Sequence, residues 1–221
     1  MKILKKVSYD DFIKTNEYVA KTTPMQTHYH SPNPVERLLW REKKRQIYKT
    51  LKSLPIKTII DLGSGDSGML EAIPKKIAYQ GIDISPTQIQ YAKETIKKSG
   101  RKNAAVKQGD ILKLKMKNGS FDAALLCDVV EHVLEPEKLF KEVKRIVKKD
   151  GYIIISLPNE TLWQLMRLLL LRFPLHSPDH IHAFIPSDIQ KVFKKIERKR
   201  YIPVPFSSHL SLIQIFVIKN T

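Results

Sequence analysis

Short apolar runs alternate with longer amphipathic stretches through the middle of the chain. Apolar residues return every three or four positions over 86–98 and 139–147, which predicts helices, whereas the shorter apolar runs predict strands. The predicted strands cover residues 58–62, 78–84, 104–107, 121–127 and 152–157. Because strands that alternate with helices form a mostly parallel sheet, the pattern predicts a Rossmann-like α/β domain.

The pattern changes towards both ends of the chain. A mixed segment is followed by a helix-like pattern over 35–54, whose basic residues, Lys43 among them, we expect to face solvent. The last predicted elements are a helix over 187–196 and strands around 200–204 and 210–219. We therefore predict a single domain over 1–221 with an N-terminal helical cap at 1–54.

A helical insertion at 160–185 interrupts the alternation after the fifth strand. Residues 161–173 are apolar nearly all round a helix, with Gln164, Arg167 and Arg172 as the polar exceptions. Such a helix is usually buried, but the sheet leaves little core for it at this point. Three interpretations stay open: a lid over a lipophilic substrate, a helix lying in a membrane interface, or a purely structural helix.

The first predicted strand ends in a glycine-rich turn. Gly63, Gly65 and Gly68 fit G-x-G-x-x-G, the fingerprint of nucleotide-binding α/β domains. Asp61 helps to identify the ligand, because a carboxylate beside the pyrophosphate of a dinucleotide would bring like charges together. S-adenosylmethionine (SAM) instead carries a sulfonium and an ammonium group, so the turn favours SAM.

Acidic residues also follow the second and third predicted strands. Asp83 comes about 20 residues after Asp61, the spacing of the acidic residue that hydrogen-bonds a ribose diol. Asp110 is placed to accept a hydrogen bond from the adenine amine, with Ile111 against the ring. Either carboxylate could cap a helix, but three acidic residues at one sheet edge favour a cofactor site.

The fourth predicted strand brings Asp128, Glu131 and His132 to the carboxyl edge of the sheet, where open α/β sheets bind ligands. Methyl transfer from a sulfonium depends mainly on alignment and proximity. A base is needed only where a hydroxyl loses its proton. His132, beside Glu131, is the candidate base, and a histidine that merely hydrogen-bonds its own loop is the alternative.

As a set, these motifs resemble class I SAM-dependent methyltransferases. The resemblance implies a seven-stranded sheet with a reversed last strand and SAM across the carboxyl ends of the strands. It implies cofactor contacts from Asp61, Gly63, Ser64, Gly65, Asp83, Ile84, Asp110, Ile111 and Cys127. The chain is most similar to the group that contains the ubiquinone-biosynthesis O-methyltransferases, and in that group Arg37 would pair with the SAM carboxylate.

The resemblance also implies a divalent metal ion. In quinone O-methyltransferases and in RNA 3′-terminal 2′-O-methyltransferases a Glu-x-x-Glu-His motif is associated with such an ion, and Asp128, Glu131 and His132 correspond to it here. His180 would supply a further ligand, as a downstream histidine does in the RNA group. Oxygen ligands with one or two imidazoles suit Mg²⁺ or Mn²⁺.

The composition of the chain indicates what kind of partner it could bind and in which compartment it would function. Lys and Arg total 39 against 22 acidic residues, a formal net charge of +17, which suits RNA, an anionic membrane surface, or simply a Lys-rich solvated surface. We do not expect DNA as a partner. The single cysteine excludes intrachain disulfides. With no apolar run of membrane-spanning length, we predict a cytoplasmic protein, peripheral at the membrane if residues 161–173 contact it.

Three functions therefore stay open. The apolar insertion favours an O-methyltransferase acting on a small lipophilic acceptor. The positive charge and the metal motif favour an RNA methyltransferase, on tRNA or on an RNA 2′-hydroxyl. A non-catalytic SAM-binding partner protein is the third, although the intact stretch at 128–132 argues against it.

Overall fold

The computed structural model describes residues 2–22, 33–169, 180–193, 195–202 and 211–221. Its strands are β1 (Lys2–Ile3), β2 (Thr58–Leu62), β3 (Ala78–Asp83), β4 (Ala104–Gln108), β5 (Phe121–Cys127), β6 (Val147–Pro158), β7 (His182–Ala183), β8 (Ile196–Ile202) and β9 (Ile213–Lys219). Its α-helices are α1 (Tyr9–Thr22), α2 (Pro34–Lys52), α3 (Pro86–Ser99), α4 (Pro136–Ile146), α5 (Glu160–Leu169) and α6 (Pro186–Val192). Short 3₁₀ helices cover Gly68–Ala72 and Val130–His132.

Seven strands form the main sheet, in the order β4-β3-β2-β5-β6-β9-β8. β2, β3, β4, β5 and β6 pair in parallel, whereas β9 runs antiparallel to both β6 and β8. This arrangement confirms the predicted sheet with its reversed last strand. Away from the main sheet, β1 pairs with β7 and joins the N-terminus to the segment after the insertion.

Helices cover both faces of the sheet, which is why its central strands β2, β5 and β9 are mostly buried, whereas the edge strands β4 and β8 carry charged residues. On one face Ile60 and Leu126 pack with Leu139 of α4. On the other face Ile59 and Leu125 pack with residues of α2. The two apolar layers hold the carboxyl ends of β2, β3 and β5 at one edge.

Local sequence determines where the two longest central helices begin. Asn33 caps α2 by accepting from the Val35 N–H at 2.9 Å, and Ser85 caps α3 by accepting from the Gln88 N–H at 3.1 Å. A proline follows each cap, where its missing N–H is harmless. Gly100, with φ +67°, ends α3.

Three predicted boundaries were wrong. After the glycine turn the sequence predicts a helix of about two turns ended by Pro74, but the structure has a single 3₁₀ turn there, Gly68–Ala72. α4 runs directly into β6, which starts at Val147 and not at 152. The Asn220 side chain donates to the Val147 carbonyl at 2.9 Å, so the distant C-terminus holds this segment in the sheet. The last helix is also shorter than predicted, ending at Val192.

The described part of the predicted insertion is helical from Glu160 to Leu169. Residues 170–179, which include the end of the apolar segment at 161–173, lie outside the described residues, as do 203–204 and 210 of the predicted terminal strands. Among the described helices, none combines the length and the apolar character needed to cross a membrane.

Candidate functional site

A cavity opens at the carboxyl ends of β2, β3 and β5. Its wall includes six of the residues predicted to contact a cofactor: Asp61, Gly63, Ser64, Gly65, Asp83 and Cys127. A smaller cavity beside it is lined by Asp83, Ile84, Asp110 and Ile111. Nine of the ten predicted cofactor residues therefore meet at one edge of the sheet. The exception is Arg37.

The glycine turn is shaped by backbone conformations that glycine adopts readily. Gly63 has φ +71° and Gly65 has φ +51°. A Cβ on Gly63 would lie 2.7 Å from Cγ2 of Val129, so a side chain at this position would also collide with the wall of the cavity. The turn is held against β3, because the Gly63 N–H donates to the Ile82 carbonyl at 2.8 Å.

Two carboxylates line the cavity, Asp61 buried and Asp83 half-buried. Asp61 is 1% exposed and accepts from the Tyr79 hydroxyl at 3.0 Å, and its burial raises its pKa to about 7. Asp83 accepts from the N–H groups of Gly65 at 2.8 Å and Ser85 at 2.9 Å, while burial raises its pKa above the usual range. Carboxylates kept from water in this way are suited to a cationic ligand, which stabilises their charged form.

The residues present therefore fit SAM. The cavity offers carboxylates for its ammonium and sulfonium groups and a turn without side chains where the backbone approaches closely. In the adjoining cavity, the Asp110 carboxylate lies beside the apolar side chains of Ile84 and Ile111, a combination that suits adenine.

Asp128 is held by an ion pair at the wall of this cavity. Its backbone has φ +54°, and its side chain contacts the Lys43 ammonium through one oxygen and accepts from the Ser156 hydroxyl at 2.9 Å through the other. Lys43 is 1% exposed, and its Nζ lies 3.5 Å from the centroid of the Trp40 ring. The expectation that Lys43 faces solvent was wrong, because the interior carboxylate of Asp128 attracts its charge into the protein.

Glu131, His132 and His180 come together beside the cavity. One potential ligand atom of each lies within 4.8 Å of those of the other two, and the two imidazole rings meet edge to face with centroids 4.8 Å apart. His180 also pairs with Glu160 through its Nδ1. The structure thus joins three of the four predicted metal-binding residues, and it places Asp128 outside the group.

The Glu131 carboxylate is the most confined group of this cluster. The residue is 1% exposed, and neither of its side-chain oxygens has a hydrogen-bond partner among the described residues. Burial, followed by the nearby Asp128, raises its pKa to about 8. Buried polar atoms without partners are costly, so a cation at this position would stabilise the site. Oxygen and imidazole donors fit Mg²⁺ or Mn²⁺.

Several residues of the site had no recognisable signal in the sequence. Tyr79 reaches Asp61 from within β3, and Lys43 and Trp40 come from α2. The first helix, α1, contributes Phe12 and Asn16 to both cavities. These residues belong to segments of mixed composition, so only their position in the fold shows their role.

Arg37 lies in an open cleft next to the cavity. This cleft runs between α2, the first 3₁₀ helix and the end of α3, and Trp40 lines both the cleft and the cavity. Six cationic residues line the cleft: Arg37, Arg41, Lys44, Lys75, Lys98 and Arg101. A contact between Arg37 and the SAM carboxylate therefore stays a prediction.

Comparison with known proteins agrees with this geometry. The family model described as Methyltransferase domain matches residues 55–198. Ubiquinone biosynthesis O-methyltransferase of Pelagibacter ubique is 28% identical over 191 residues, which are 83% of this chain and 75% of that protein. Norajmaline N-methyltransferase of Rauvolfia serpentina is 31% identical over 102 residues, 45% of this chain, and the chain spans only 35% of that enzyme.

Solved structures share the fold over nearly the whole chain. A SAM-dependent methyltransferase from Aquifex aeolicus superposes with a TM-score of 0.65 at 16% identity, covering 98% of this chain and 100% of that one. The [4+2]-cyclase SpnF gives a TM-score of 0.75 at 11% identity, with coverages of 98% and 97%. At these identities the likeness establishes the fold alone.

Proposed function

Because this chain belongs to the Methyltransferase domain family and is a SAM-dependent methyltransferase, we propose that its acceptor is a small lipophilic molecule that is methylated on oxygen. The observation that carries the proposal is the position of His132. It lines the cofactor cavity and also stands in the cluster with Glu131 and His180. The likeness to an enzyme named as a ubiquinone biosynthesis O-methyltransferase supports oxygen as the acceptor atom.

When bound, SAM supplies an activated methyl group. The residues of the chain then have to hold and align the reactants and accept the proton of the acceptor hydroxyl. Asp61 and Asp83 hold the cofactor from the sheet edge. Without a metal ion, His132 would take the proton at a ring nitrogen, and the buried Glu131 carboxylate beside it would stabilise the positive charge that results.

We also propose that Glu131, His132 and His180 hold Mg²⁺ or Mn²⁺. Their closeness and the unpartnered oxygens of Glu131 support this site. A metal there would lower the pKa of the acceptor hydroxyl, and His132 would then serve as a ligand and not as the base. The pairing of His180 with Glu160 fixes the ring near the other two ligands.

The start of α5 supports the lipophilic acceptor. Glu160, at its first position, is tied to His180 of the cluster, so the helix extends directly from the reaction site. Trp163 packs against the apolar layer that contains α2 residues, whereas Leu165 and Leu168 are 48% and 47% exposed. These exposed side chains suit a lid over an apolar acceptor or a contact with a membrane surface.

Turnover with a defined acceptor series tests the proposal. Hydroxylated aromatic compounds with and without an alkyl tail are incubated with SAM, and the demethylated cofactor and the methylated product are identified by mass spectrometry. We expect turnover that improves with tail length, is abolished by a chelator, and is restored by Mg²⁺ or Mn²⁺. Chelator-resistant turnover would leave His132 as a base without metal, and products methylated on nitrogen or carbon would refute O-methylation.

RNA is a second candidate acceptor, supported by the six cations of the cleft beside the cavity. Lysine and arginine side chains along a groove are typical of phosphate-backbone contacts. Transfer of labelled methyl groups from SAM to tRNA would favour this function, and a strong fall of that transfer with salt would indicate backbone contacts. Equal transfer after Arg41→Gln and Lys98→Gln would exclude the cleft as the RNA site.

A further inference from the structure

The N-terminal arm, defined here as residues 2–22, lies across the cofactor cavity. Its side chains form a continuous part of the wall: Lys5, Val7, Phe12, Thr15, Asn16 and Val19. Phe12 and Asn16 also line the smaller cavity beside Asp110. We propose that this arm is a cofactor-dependent lid, in which Phe12 and Asn16 complete the adenosine site and α1 moves away each time the cofactor is exchanged.

The position of Phe12 defines what it would contact. It shares the smaller cavity with Asp83, which the sequence assigns to the ribose, and with Asp110 and Ile111, which it assigns to adenine. With Ile111 in the same lining, the aromatic ring of Phe12 gives this cavity apolar surfaces that suit a flat heterocycle. Asn16, one helical turn further along, adds a polar group on the same side of α1.

Besides the pairing of β1 with β7, three polar attachments hold the arm closed, and each ends on a segment of the cofactor site. The Tyr9 hydroxyl donates to Asp110 at 3.1 Å, and the Leu4 N–H donates to the Ile181 carbonyl at 2.8 Å. Glu17 accepts from the Ser85 hydroxyl at 2.6 Å and from the Thr87 hydroxyl. Ser85 in turn binds Asp83 through its N–H, so closure of the arm and order in the cofactor site are linked.

The contact between Tyr9 and Asp110 leaves room for adenine. Tyr9 uses Oδ2 of the carboxylate, and the Leu112 N–H donates to Oδ1 at 2.8 Å. Because each carboxylate oxygen accepts more than one hydrogen bond, the adenine amine adds to this arrangement and does not displace Tyr9. Tyr9 thus orients Asp110 for the cofactor when the arm is closed.

The arm is attached weakly enough to open. α1 lies wholly within the described residues, and only its Ala20 is buried. Tyr18, on the outer side, is 68% exposed. Segments that bury little apolar surface and rely on exposed hydrogen bonds open at low free-energy cost. A cofactor that touches Phe12 only in the closed form shifts the arm towards closure.

The inference requires SAM as the cofactor but does not depend on the acceptor, so it is tested by binding alone. SAM affinity and the dissociation rate are measured by calorimetry and stopped-flow for the unmodified chain, for Phe12→Ala and for Tyr18→Ala. Tyr18→Ala is the matched control, because it removes an exposed aromatic ring of the same helix that lines neither cavity. We expect Phe12→Ala to weaken binding by roughly 10- to 100-fold, the effect of losing one buried large side chain, mainly through faster dissociation. Tyr18→Ala should bind like the unmodified chain.

Hydrogen exchange on the unmodified chain gives a second measurement that needs no variant. SAM should slow amide exchange across Tyr9–Thr22 as well as at the glycine turn. Unchanged exchange in the arm with SAM bound, or equal SAM affinities of the two variants, would overturn the lid while leaving the methyltransferase function in place. Absence of SAM binding by the unmodified chain would overturn both.

Discussion

The two sides of the cofactor cavity are built in different ways. The sheet side consists of Asp61, the glycine turn and Asp83, which end neighbouring parallel strands and are positioned by backbone hydrogen bonds. The covering side consists of the N-terminal arm and α2, whose Phe12, Trp40 and Lys43 reach the site from sequence positions far from the strands. The comparison shows a fixed cofactor platform that is recognisable from motifs, closed by a surface that depends on tertiary contacts.

Breaking the ion pair of the covering side should have the largest effect. Lys43→Met leaves the Asp128 carboxylate without its cation, and we expect a loss of about 3 kcal/mol in the free energy of unfolding. This is the lower end for a broken buried pair, because the Asp128 side chain is 20% exposed. Chemical denaturation measures the loss. The double variant Lys43→Met/Asp128→Asn should recover most of it, and a single variant as stable as the unmodified chain would show that the pair is not important for stability.

On the sheet side, Gly63→Ala should destabilise the protein by about 2 kcal/mol, because a residue with a side chain is strained in a left-handed backbone conformation. A collision of the added Cβ with a neighbouring side chain would increase this loss. The added Cβ would approach Val129 at 2.7 Å. Gly100→Ala is the matched control, since Gly100 has a similar φ of +67° but open space around it. Thermal unfolding and SAM titration of both variants separate the collision from the backbone strain. Equal losses of stability in the two variants would mean that the Val129 side chain moves aside for the added Cβ and that the collision contributes nothing.

A smaller effect on SAM binding is expected from Asp83→Ala, which also removes the acceptor of the Gly65 and Ser85 N–H groups. Removing the carboxylate abolishes a charge-assisted hydrogen bond to the ribose and should weaken SAM affinity by about 1.5–3 kcal/mol. Glu94→Ala, at an exposed position of α3, serves as the control. Calorimetry that gives the same SAM affinity for both variants would refute the assigned role of Asp83.

The smallest expected effect is the change of SAM affinity with pH. This effect should also distinguish the sheet side of the cavity from the covering side. Burial raises the pKa of Asp61 to about 7 in the free protein, and a cationic ligand prefers the ionised carboxylate. SAM affinity should therefore increase as the pH rises towards 7, by up to about tenfold per pH unit, and level off above it. The Asp61→Asn variant should lack this rise, whereas Phe12→Ala should keep it. A rise that persists in Asp61→Asn must come from another group.

The raised pKa of Asp61 also makes the folding stability depend on pH. This dependence runs in the opposite direction to that of SAM affinity. Between its ordinary pKa and about 7, Asp61 binds more protons in the folded than in the unfolded chain. The stability of the cofactor-free protein therefore falls as the pH rises through this window. Asp61→Asn should remove that slope, which denaturation at several pH values would detect.

The parts of the candidate site whose positions could be predicted from the sequence are those encoded by local pattern. The strand ends at Asp61, Asp83 and Cys127 follow from apolar runs that stop within a residue of the predicted position. Parallel strands then bring these ends to one edge of the sheet, independently of the loops that connect them. His180 was placed near Glu131 by family resemblance, and the structure joins the segments through the hydrogen bond from the Ile181 N–H to the Glu131 carbonyl at 2.9 Å.

The chain's sequence by itself determined the parallel sheet, the family and the carboxylates at the edge of the sheet, because hydrophobic period and turn chemistry act over a few residues and need no distant partner. Only the tertiary structure decided that Lys43 turns inward to Asp128, that Asp128 stands apart from Glu131, His132 and His180, and that the arm closes the cavity. The physical reason is that a lysine, an aspartate or a short amphipathic helix has the same local preferences in solvent and in an interior. Which environment it occupies depends on the charge and the surface that the rest of the fold places against it.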